Sequence, residues 1–228
     1  MPISISAPIN PGERHIAAVI VVDTSTSMMG HPIEELNQGL IEFGNALKED
    51  KFALGRAEVC VISFNSTVQI EQDFTPAIDY TAPVLSAGGL TVLNEAIDVA
   101  LDTLEERKEL YRQTGIDYYR PWLFILTDGS ASDREKEDAT KSRLKSAIAN
   151  NKVVYMPMGI GENANILKLQ EYYPNDAQTK TVLKADATHF KEAFVWLSKS
   201  VIAISNSDPK VSDQVQLPPT PSIITVGV

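Results

Sequence analysis

The sequence predicts an α/β fold with a doubly wound, mostly parallel central sheet that is flanked by helices and has one antiparallel edge strand. Three observations lead to this prediction. Short runs of apolar, often β-branched residues recur along the chain, segments of helical periodicity separate them, and the central runs stop at polar turns. Strands that alternate with helices at this spacing imply right-handed crossovers and therefore a parallel sheet.

The first third of the chain supplies a strand, a helix and a hairpin. Ile16 to Val22 is continuously apolar, which is typical of a strand that is covered on both faces. From Ile33 to about Lys48, apolar residues return at helical spacing with charged residues between them. Ala57 to Phe64 predicts a second buried strand, and the alternation over Val68 to Phe74 predicts the antiparallel edge strand.

The remaining elements follow the same alternation. A helix is predicted from about Val92 to Tyr111, and a third buried strand covers Trp122 to Leu126. The later predicted elements are a polar helix over 134–150, a strand over 153–161, a short helix over 165–172, a strand over 181–186 and a last helix over 190–205. The sequence thus predicts one domain over residues 13–206.

Residues 207–228 are predicted to form a tail. The segment has no helical period and contains Pro209, Pro218, Pro219 and Pro221. Its last seven residues are apolar enough to pack against the domain or a neighbour, so docking and disorder both remain open.

Composition limits the classes of partner. With 228 residues, 43% of them hydrophobic, the chain can bury one full core. Thirty acidic against twenty basic residues give a formal charge of -10, which would repel a nucleic-acid backbone. The single cysteine, Cys60, excludes an internal disulfide, and the longest apolar run is too short to cross a bilayer. We therefore expect a cytoplasmic protein with neither a nucleic-acid nor a membrane partner.

Three polar turns carry the candidate chemistry. They are DTSTS at Asp23 to Ser27, GGLT at Gly88 to Thr91 and TDG at Thr127 to Gly129. The first and third follow predicted strands and the second precedes a helix, so all three are expected at the carboxyl edge of the sheet, where doubly wound folds bind ligands. Taken singly, each is also an ordinary helix cap or tight turn.

Together the three turns offer only oxygen ligands. Two carboxylates and three hydroxyls match the octahedral oxygen coordination of Mg²⁺ or Mn²⁺, whereas Ca²⁺ is a less favoured alternative because it usually takes more ligands. The predicted metal ligands are Asp23, Ser25, Ser27, Thr91 and Asp128. The three histidines, His15, His31 and His189, have no partner at ligand spacing and are expected at the surface or as caps.

This combination resembles the metal-ion-dependent adhesion site (MIDAS) of von Willebrand factor type A (VWA) domains. Within that superfamily the chain is similar to the bacterial TerY-type group associated with tellurium resistance and stress. The segments that carry the resemblance are DTSTSMMGHPIEELNQGL, VISFNSTVQ, LSAGGLTVLNEAI, PWLFILTDG and ADATHFKEAFVWLSKSV. Some members of the group carry a C-terminal zinc-binding region, and a chain with one cysteine cannot build a cysteine-rich one.

The resemblance implies roles for the five residues. Ser25, Ser27 and Thr91 would coordinate the metal through their hydroxyls, while Asp23 and Asp128 would act directly or through water. A cation held by neutral hydroxyls keeps much of its charge and an open position, which attracts an external carboxylate. The implied function is binding of a protein partner that presents Asp or Glu, and the resemblance links such partners to kinase and phosphatase signalling.

A Mg²⁺-dependent phosphohydrolase is the alternative function, because a strand-terminal Asp also opens the Asp-x-Asp-x-Thr motif of such enzymes. Here the position two residues after Asp23 is Ser25, so the second carboxylate that would serve as a general acid is missing. The three turns also contain no Lys or Arg to hold a phosphoryl group. We therefore expect no enzyme activity.

Overall fold

A computed structural model describes residues 12–128, 131–162, 164–177, 180–185, 190–207, 217–219 and 224–227. The strands are β1 (Ile16–Asp23), β2 (Ala57–Phe64), β3 (Val68–Pro76), β4 (Trp122–Thr127), β5 (Val154–Ile160), β6 (Val182–Ala185) and β7 (Ile224–Gly227). The α-helices are α1 (His31–Glu49), α2 (Lys51–Arg56), α3 (Leu93–Thr114), α4 (Glu137–Ala149), α5 (Ile166–Gln170) and α6 (Phe190–Ser205), and single 3-10 turns cover Thr26–Met28 and Arg134–Lys136.

The strands form one sheet in the order β3-β2-β1-β4-β5-β6-β7. The five inner strands run parallel, and β3 pairs antiparallel with β2. This confirms the predicted doubly wound sheet with an antiparallel edge. The chain first moves outward from β1 to β2 and β3 and then returns to β4 on the other side of β1, so the order reverses between β1 and β4.

The two faces of β1 are buried in two separate apolar cores, which explains its unbroken apolar run. Ile16, Ala18, Ile20 and Val22 belong to the core that also contains residues of α1 and α6. Ala17, Val19 and Val21 belong to the core that contains residues of α3. A central strand of this kind cannot alternate polar and apolar residues, because neither face meets water.

Helices α1 and α6 pack closely because α1 has a glycine at their contact. A Cβ atom added to Gly39 would lie 2.3 Å from a ring carbon of Phe194. That ring also makes an edge contact with Phe43, at 6.3 Å between ring centroids. The close approach fixes α6 against this face of the sheet.

Helix α2 was not predicted. It has only six residues, which is too few to show a periodic pattern. Its stability comes from its cap, since the side chain of Asp50 accepts hydrogen bonds from the backbone N–H groups of Phe52 and Ala53 at 3.0 and 2.9 Å.

Part of the C-terminal segment joins the fold. Strand β7 pairs antiparallel with β6, with Ile224 opposite Ala185 and Gly227 opposite Val182. Earlier in the segment, the indole N–H of Trp196 donates to the carbonyl of Pro218 at 3.0 Å. Of the two alternatives for the C-terminal segment, packing against the domain or disorder, the structure therefore shows packing for residues 224–227. None of the described helices has the length and apolar character needed to span a membrane.

The expectation for His15 was wrong, because this residue is buried beside a charge cluster at the start of the sheet. Glu58 of β2 accepts hydrogen bonds from Arg107 Nε at 2.9 Å, from Arg107 Nη2 at 2.6 Å and from the hydroxyl of Tyr111. His15 Nδ1 lies 3.6 Å from the same carboxylate. Burial would raise the pKa of Glu58, but the nearby imidazole of His15, the hydrogen bonds from Arg107 and Tyr111 and the charge of Arg107 hold it below its ordinary value. His31 is exposed as expected, and His189 lies outside the described residues.

Candidate metal centre

The predicted ligands lie at strand ends and on loops at the carboxyl edge of the sheet, on both sides of the point where the strand order reverses. Asp23 is the last residue of β1, and Asp128 directly follows β4, its neighbour in the sheet. Ligands of doubly wound folds bind at this position because adjacent loops diverge there and leave a crevice.

Asp23 is buried, and each of its two carboxylate oxygens accepts a hydrogen bond. Oδ1 accepts from the backbone N–H of Ser25 at 2.9 Å, and Oδ2 accepts from the hydroxyl of Thr127 at 2.8 Å. Burial and the charge of Asp128 raise the pKa of Asp23, although the hydrogen bonds from Ser25 and Thr127 lower it, and the net shift is upward.

The hydroxyls of Ser25 and Ser27 face each other. Their Oγ atoms share a hydrogen bond of 3.0 Å across the 3-10 turn that begins at Thr26. Ser25 is buried and Ser27 is exposed, so the pair extends from the floor of the site to its surface. Two neighbouring ligands of an octahedral Mg²⁺ with bonds of about 2.1 Å would be separated by about 3.0 Å. The spacing of this pair therefore fits one edge of the octahedron.

The loop that carries Thr91 is tied to the first turn by backbone hydrogen bonds. Gly88 N–H donates to the carbonyl of Thr24 at 2.8 Å, and the carbonyl of Gly89 accepts from Thr26, from the hydroxyl at 2.9 Å and from the N–H at 3.1 Å. Gly89 has φ +89° and a Cβ there would lie 2.6 Å from Ser66 Oγ, so this position requires glycine. The Gly-Gly turn thus presents Thr91 next to the Asp23–Ser27 turn.

The third turn is anchored through the backbone of Asp128. Its carbonyl accepts from the N–H of Asn165 at 2.7 Å, which ties the end of β4 to the start of α5. The Asp128 side chain is half-buried. Gly129, the last residue of the predicted TDG turn, lies outside the described residues.

A layer of residues that was not predicted from the sequence positions the ligands. Thr127 holds Asp23, and Ser132 both accepts from the N–H of Thr91 at 3.2 Å and donates its own N–H to the Thr91 carbonyl at 2.8 Å. Asp133 caps α3, where its carboxylate accepts from the N–H groups of Asn94 at 3.3 Å and Glu95 at 2.8 Å. The only sequence signal for this layer was the run of small polar residues after β4. That run could not reveal the cap, because Asp133 and Glu95 are 38 residues apart in sequence.

Three hydroxyls and two carboxylates make up the candidate donor set. Over the part of the chain that the structure describes, no place brings together three or more His, Cys, Asp or Glu side chains that could hold a metal ion. Hard oxygen donors without nitrogen or sulfur suit Mg²⁺ or Mn²⁺ and do not suit zinc. The donor chemistry and the Ser25–Ser27 spacing thus both fit a hydroxyl-rich divalent-cation site.

The fold and the site together define an α/β domain with a hydroxyl-rich candidate cation site at its topological switch point. The family profile of the von Willebrand factor type A domain matches residues 18–131. The chain therefore belongs to the VWA family. No curated protein matches it by overall sequence.

Solved structures share the fold at low sequence identity. The structures include a von Willebrand factor type A protein from Catenulispora acidiphila (TM-score 0.59, 15% identity, 83% of this chain and 43% of that chain), the pilus adhesin SpaC from Lactobacillus rhamnosus GG in its open conformation (0.65, 14%, 83% and 30%) and the manganese-loaded TRAP protein of Plasmodium vivax (0.51, 15%, 80% and 74%). The match spans less than half of the first two of these proteins. At such identities the likeness shows the fold alone.

Proposed function

We propose that this domain binds a divalent cation at the carboxyl edge of its sheet and, through that cation, a carboxylate of a protein partner. The observation that carries the proposal is the Ser25–Ser27 pair, whose 3.0 Å spacing fits adjacent metal ligands. Thr91 and Asp128 lie on the two loops tied to this region and complete the ligand set with Asp23. Mg²⁺ is the expected ion, with Mn²⁺ or Ca²⁺ as alternatives, and the manganese-loaded state of the TRAP protein supports a divalent metal in this fold.

The charge of the site favours an acidic partner. Three of the five proposed ligands are neutral hydroxyls, so a bound cation would keep a net attraction for an incoming carboxylate. The formal charge of the whole chain is -10, which opposes long-range attraction of an acidic protein. The metal itself would therefore provide the local attraction, and binding would be lost on chelation.

Exposed apolar side chains next to the site favour a protein over a small acid. Met29, Leu90 and Leu167 are 59%, 63% and 70% exposed, and they are three of the four most exposed large apolar side chains among the described residues. Met29 is two residues from Ser27, and Leu90 adjoins Thr91. Leu167 is in α5, next to the segment that anchors Asp128. Apolar residues around a polar centre are typical of protein-binding surfaces.

The same geometry argues against phosphoryl transfer. Asp23 corresponds to the nucleophile of the alternative function, yet both of its oxygens accept hydrogen bonds from within the domain. Ser25 stands where a general acid would be needed. Our proposal is therefore a binding module without enzyme activity, and Mg²⁺-dependent hydrolysis of a generic phosphomonoester well above background would refute it.

The finer biological assignment is part of the same proposal. Similarity of the sequence motifs to the TerY-type group supports a role in a bacterial stress or tellurium-resistance system, in the cytoplasm, with kinase- or phosphatase-type signalling proteins as partners. Growth of a deletion strain on tellurite and under oxidative stress would test this role separately from metal binding.

The central test combines calorimetry with a peptide selection. Mg²⁺ and Mn²⁺ are titrated into the protein and into a Ser25→Ala/Ser27→Ala variant, with Ser142→Ala/Ser146→Ala on α4 as the matched control. Only the site variant should lose the binding heat. A displayed peptide library with a fixed central Asp or Glu is then selected in Mg²⁺ and eluted with EDTA. Absence of binding heat at millimolar metal, or of any EDTA-eluted acidic peptide, would refute the proposal.

A further inference from the structure

A small polar cavity adjoins the metal centre on the side of β2 and β3. Its volume is about 240 Å³, and its walls come from the residue that follows β1, from the end of β2, from the first half of β3 and from the loop over 84–86. Small-molecule sites usually have volumes of about 300 Å³ or more. This cavity therefore has the size for one side chain and not for a whole ligand.

Two of the cavity's lining residues place it directly beside the candidate metal ligands. Thr24 forms part of the wall and is the residue that follows Asp23 in the chain. Asn65 forms another part of the wall, and its carbonyl accepts from the N–H of Val92, the residue after Thr91, at 2.9 Å. The cavity thus shares segments with two of the three turns of the metal centre, and a partner bound at the metal can reach it at the same time.

Among the described residues that line the cavity, Glu71 is the only charged one. Its Oε1 accepts from the hydroxyl of Ser63 at 2.6 Å, and its Oε2 accepts from the side-chain amide of Gln69 at 3.3 Å. Both donors are neutral, and over the described chain no Lys, Arg or His forms an ion pair with this carboxylate. A carboxylate can accept about four hydrogen bonds, so Glu71 can still accept bonds from a cation.

Val84 gives the cavity an apolar rim. It is 88% exposed, more than any other large apolar side chain among the described residues. The backbone next to it is held in place, because the side-chain amide of Asn37 on α1 donates to the carbonyl of Leu85 at 2.9 Å and accepts from its N–H at 2.8 Å. A Lys or Arg side chain has an apolar stem and a charged end. The stem would contact Val84 while the charged end reaches Glu71.

We propose, as an extension of the metal-bridged binding proposed above, that this cavity receives a Lys or Arg side chain of the same protein partner whose carboxylate meets the cation. An extended chain spans at most about 3.3–3.6 Å per residue, so the basic residue lies within about four positions of the acidic one. The net charge of -10 repels a purely acidic segment. A segment that carries both charges avoids this repulsion.

The first test is a displayed peptide library with a fixed central Asp and random flanks, selected on the full chain in Mg²⁺ and eluted with EDTA. Lys or Arg should be enriched at a fixed distance from the Asp. Selection on Glu71→Gln should lose this enrichment and still yield acidic peptides. Recovery of acidic peptides without a basic preference on the parent overturns this inference alone. If EDTA elutes no peptide, the proposed function fails and this inference fails with it.

The affinity of one enriched peptide then locates the contact. Glu71→Gln should weaken its binding about tenfold, because a charge-assisted hydrogen bond is lost, and should change the affinity of the same peptide with Met at the basic position by less than about twofold. Asp73→Asn is the control, since it removes a charge from the same strand outside the cavity. Mg²⁺ affinity, measured by calorimetry, should be equal in the parent and both variants.

Three results would overturn the assignment of this cavity. The first is an equal loss of affinity for the basic and the Met-containing peptide in Glu71→Gln. The second is an equal loss for the basic peptide in Glu71→Gln and Asp73→Asn. The third is a weaker affinity of Glu71→Gln for Mg²⁺, which would assign Glu71 to the metal centre itself.

Discussion

The hydroxyl of Thr127 donates a hydrogen bond to Oδ2 of Asp23 at 2.8 Å, which links the ends of the two central strands β1 and β4. Asp23 is thereby fixed from two sides, since Ser25 N–H holds its other oxygen. The bond positions a proposed metal ligand through a residue that would not itself touch the metal.

Thr127→Val should weaken Mg²⁺ binding about tenfold or more, since partners that orient metal ligands typically account for that much affinity. The side chain keeps its volume, so the loss isolates the hydrogen bond. Calorimetric titration measures the affinity. Thr140→Val is the control, because it removes a similar hydroxyl bond, to Asp98 at 2.7 Å, on α4 and α3. Equal affinities of the Thr127 variant and the parent would show that Asp23 does not need this bond.

Mg²⁺ should stabilise the domain, because an ion that binds only the folded state raises the free energy of unfolding. The gain is about 2.7 kcal/mol when the free metal concentration is a hundred times the Kd. Asp23→Asn should abolish this gain while keeping the fold, since the amide oxygen still accepts from Ser25 N–H. Without metal, this variant should be at least as stable as the parent, because it removes a buried charge that Asp128 repels. Thermal melts in Mg²⁺ and in EDTA test both statements. A metal-dependent shift that persists in the variant would exclude Asp23 from the site.

Leu90→Ser/Leu167→Ser should weaken binding of an EDTA-eluted acidic peptide about tenfold without changing Mg²⁺ affinity, because the two side chains would contact the partner and not the metal. Ile41→Ser/Ile78→Ser removes two exposed apolar side chains elsewhere and serves as the control. Peptide binding is followed by fluorescence anisotropy. If both variants bind equally well, the apolar side chains near the centre have no role in recognition.

Glu58→Gln should lower the free energy of unfolding by about 3 kcal/mol or more, because it leaves the charge of Arg107 buried without its partner. Chemical denaturation measures the change. Glu95→Gln breaks the exposed pair with Lys136, 2.7 Å apart, and should cost less than about 1 kcal/mol. A small, equal loss in both variants would mean that the buried cluster contributes no more than a surface pair.

The same cluster predicts a pH dependence. The pKa of Glu58 is lower in the folded protein than in the unfolded chain, so its contribution is fully present above the unfolded value of about 4.3 and is lost as the pH falls through the folded value. Acid should therefore destabilise the parent more than Glu58→Gln, and their denaturation midpoints should converge as the pH falls below the folded pKa of Glu58. Parallel curves down to the acid transition would contradict this assignment.

The fold was predictable because its signals are local. The unbroken apolar run of β1 indicates a strand that is buried on two faces, and the helical periodicity of α1 and α3 indicates helices that are buried on one face. The candidate ligands were placed at one edge by the same reasoning, because each turn follows a strand or precedes a helix. The sequence placed Thr127 in a turn but could not predict its hydrogen bond to Asp23, because the two residues are 104 positions apart.

Two other features leave no periodic pattern in the sequence, one because it depends on a tertiary contact and the other because it is a short helix. The burial of His15 follows from a neighbour on another strand, Glu58, whose charge is balanced by Arg107 from α3. Helix α2 depends on one capping side chain, Asp50. In both cases one polar side chain, Glu58 or Asp50, determines the local structure.

The antiparallel pairing of β7 with β6 also bears on self-association. An uncovered edge strand offers a row of backbone donors and acceptors to any other chain. At the far edge, β3 deters such pairing with Glu71, Asp73 and Pro76 and with an irregular register against β2. Strand β6 has four residues and no carboxylate, so it depends on β7 as its cover. A chain shortened to residues 1–206 would leave β6 open to strands of neighbouring molecules. The shortened chain would then self-associate to an extent that rises with protein concentration.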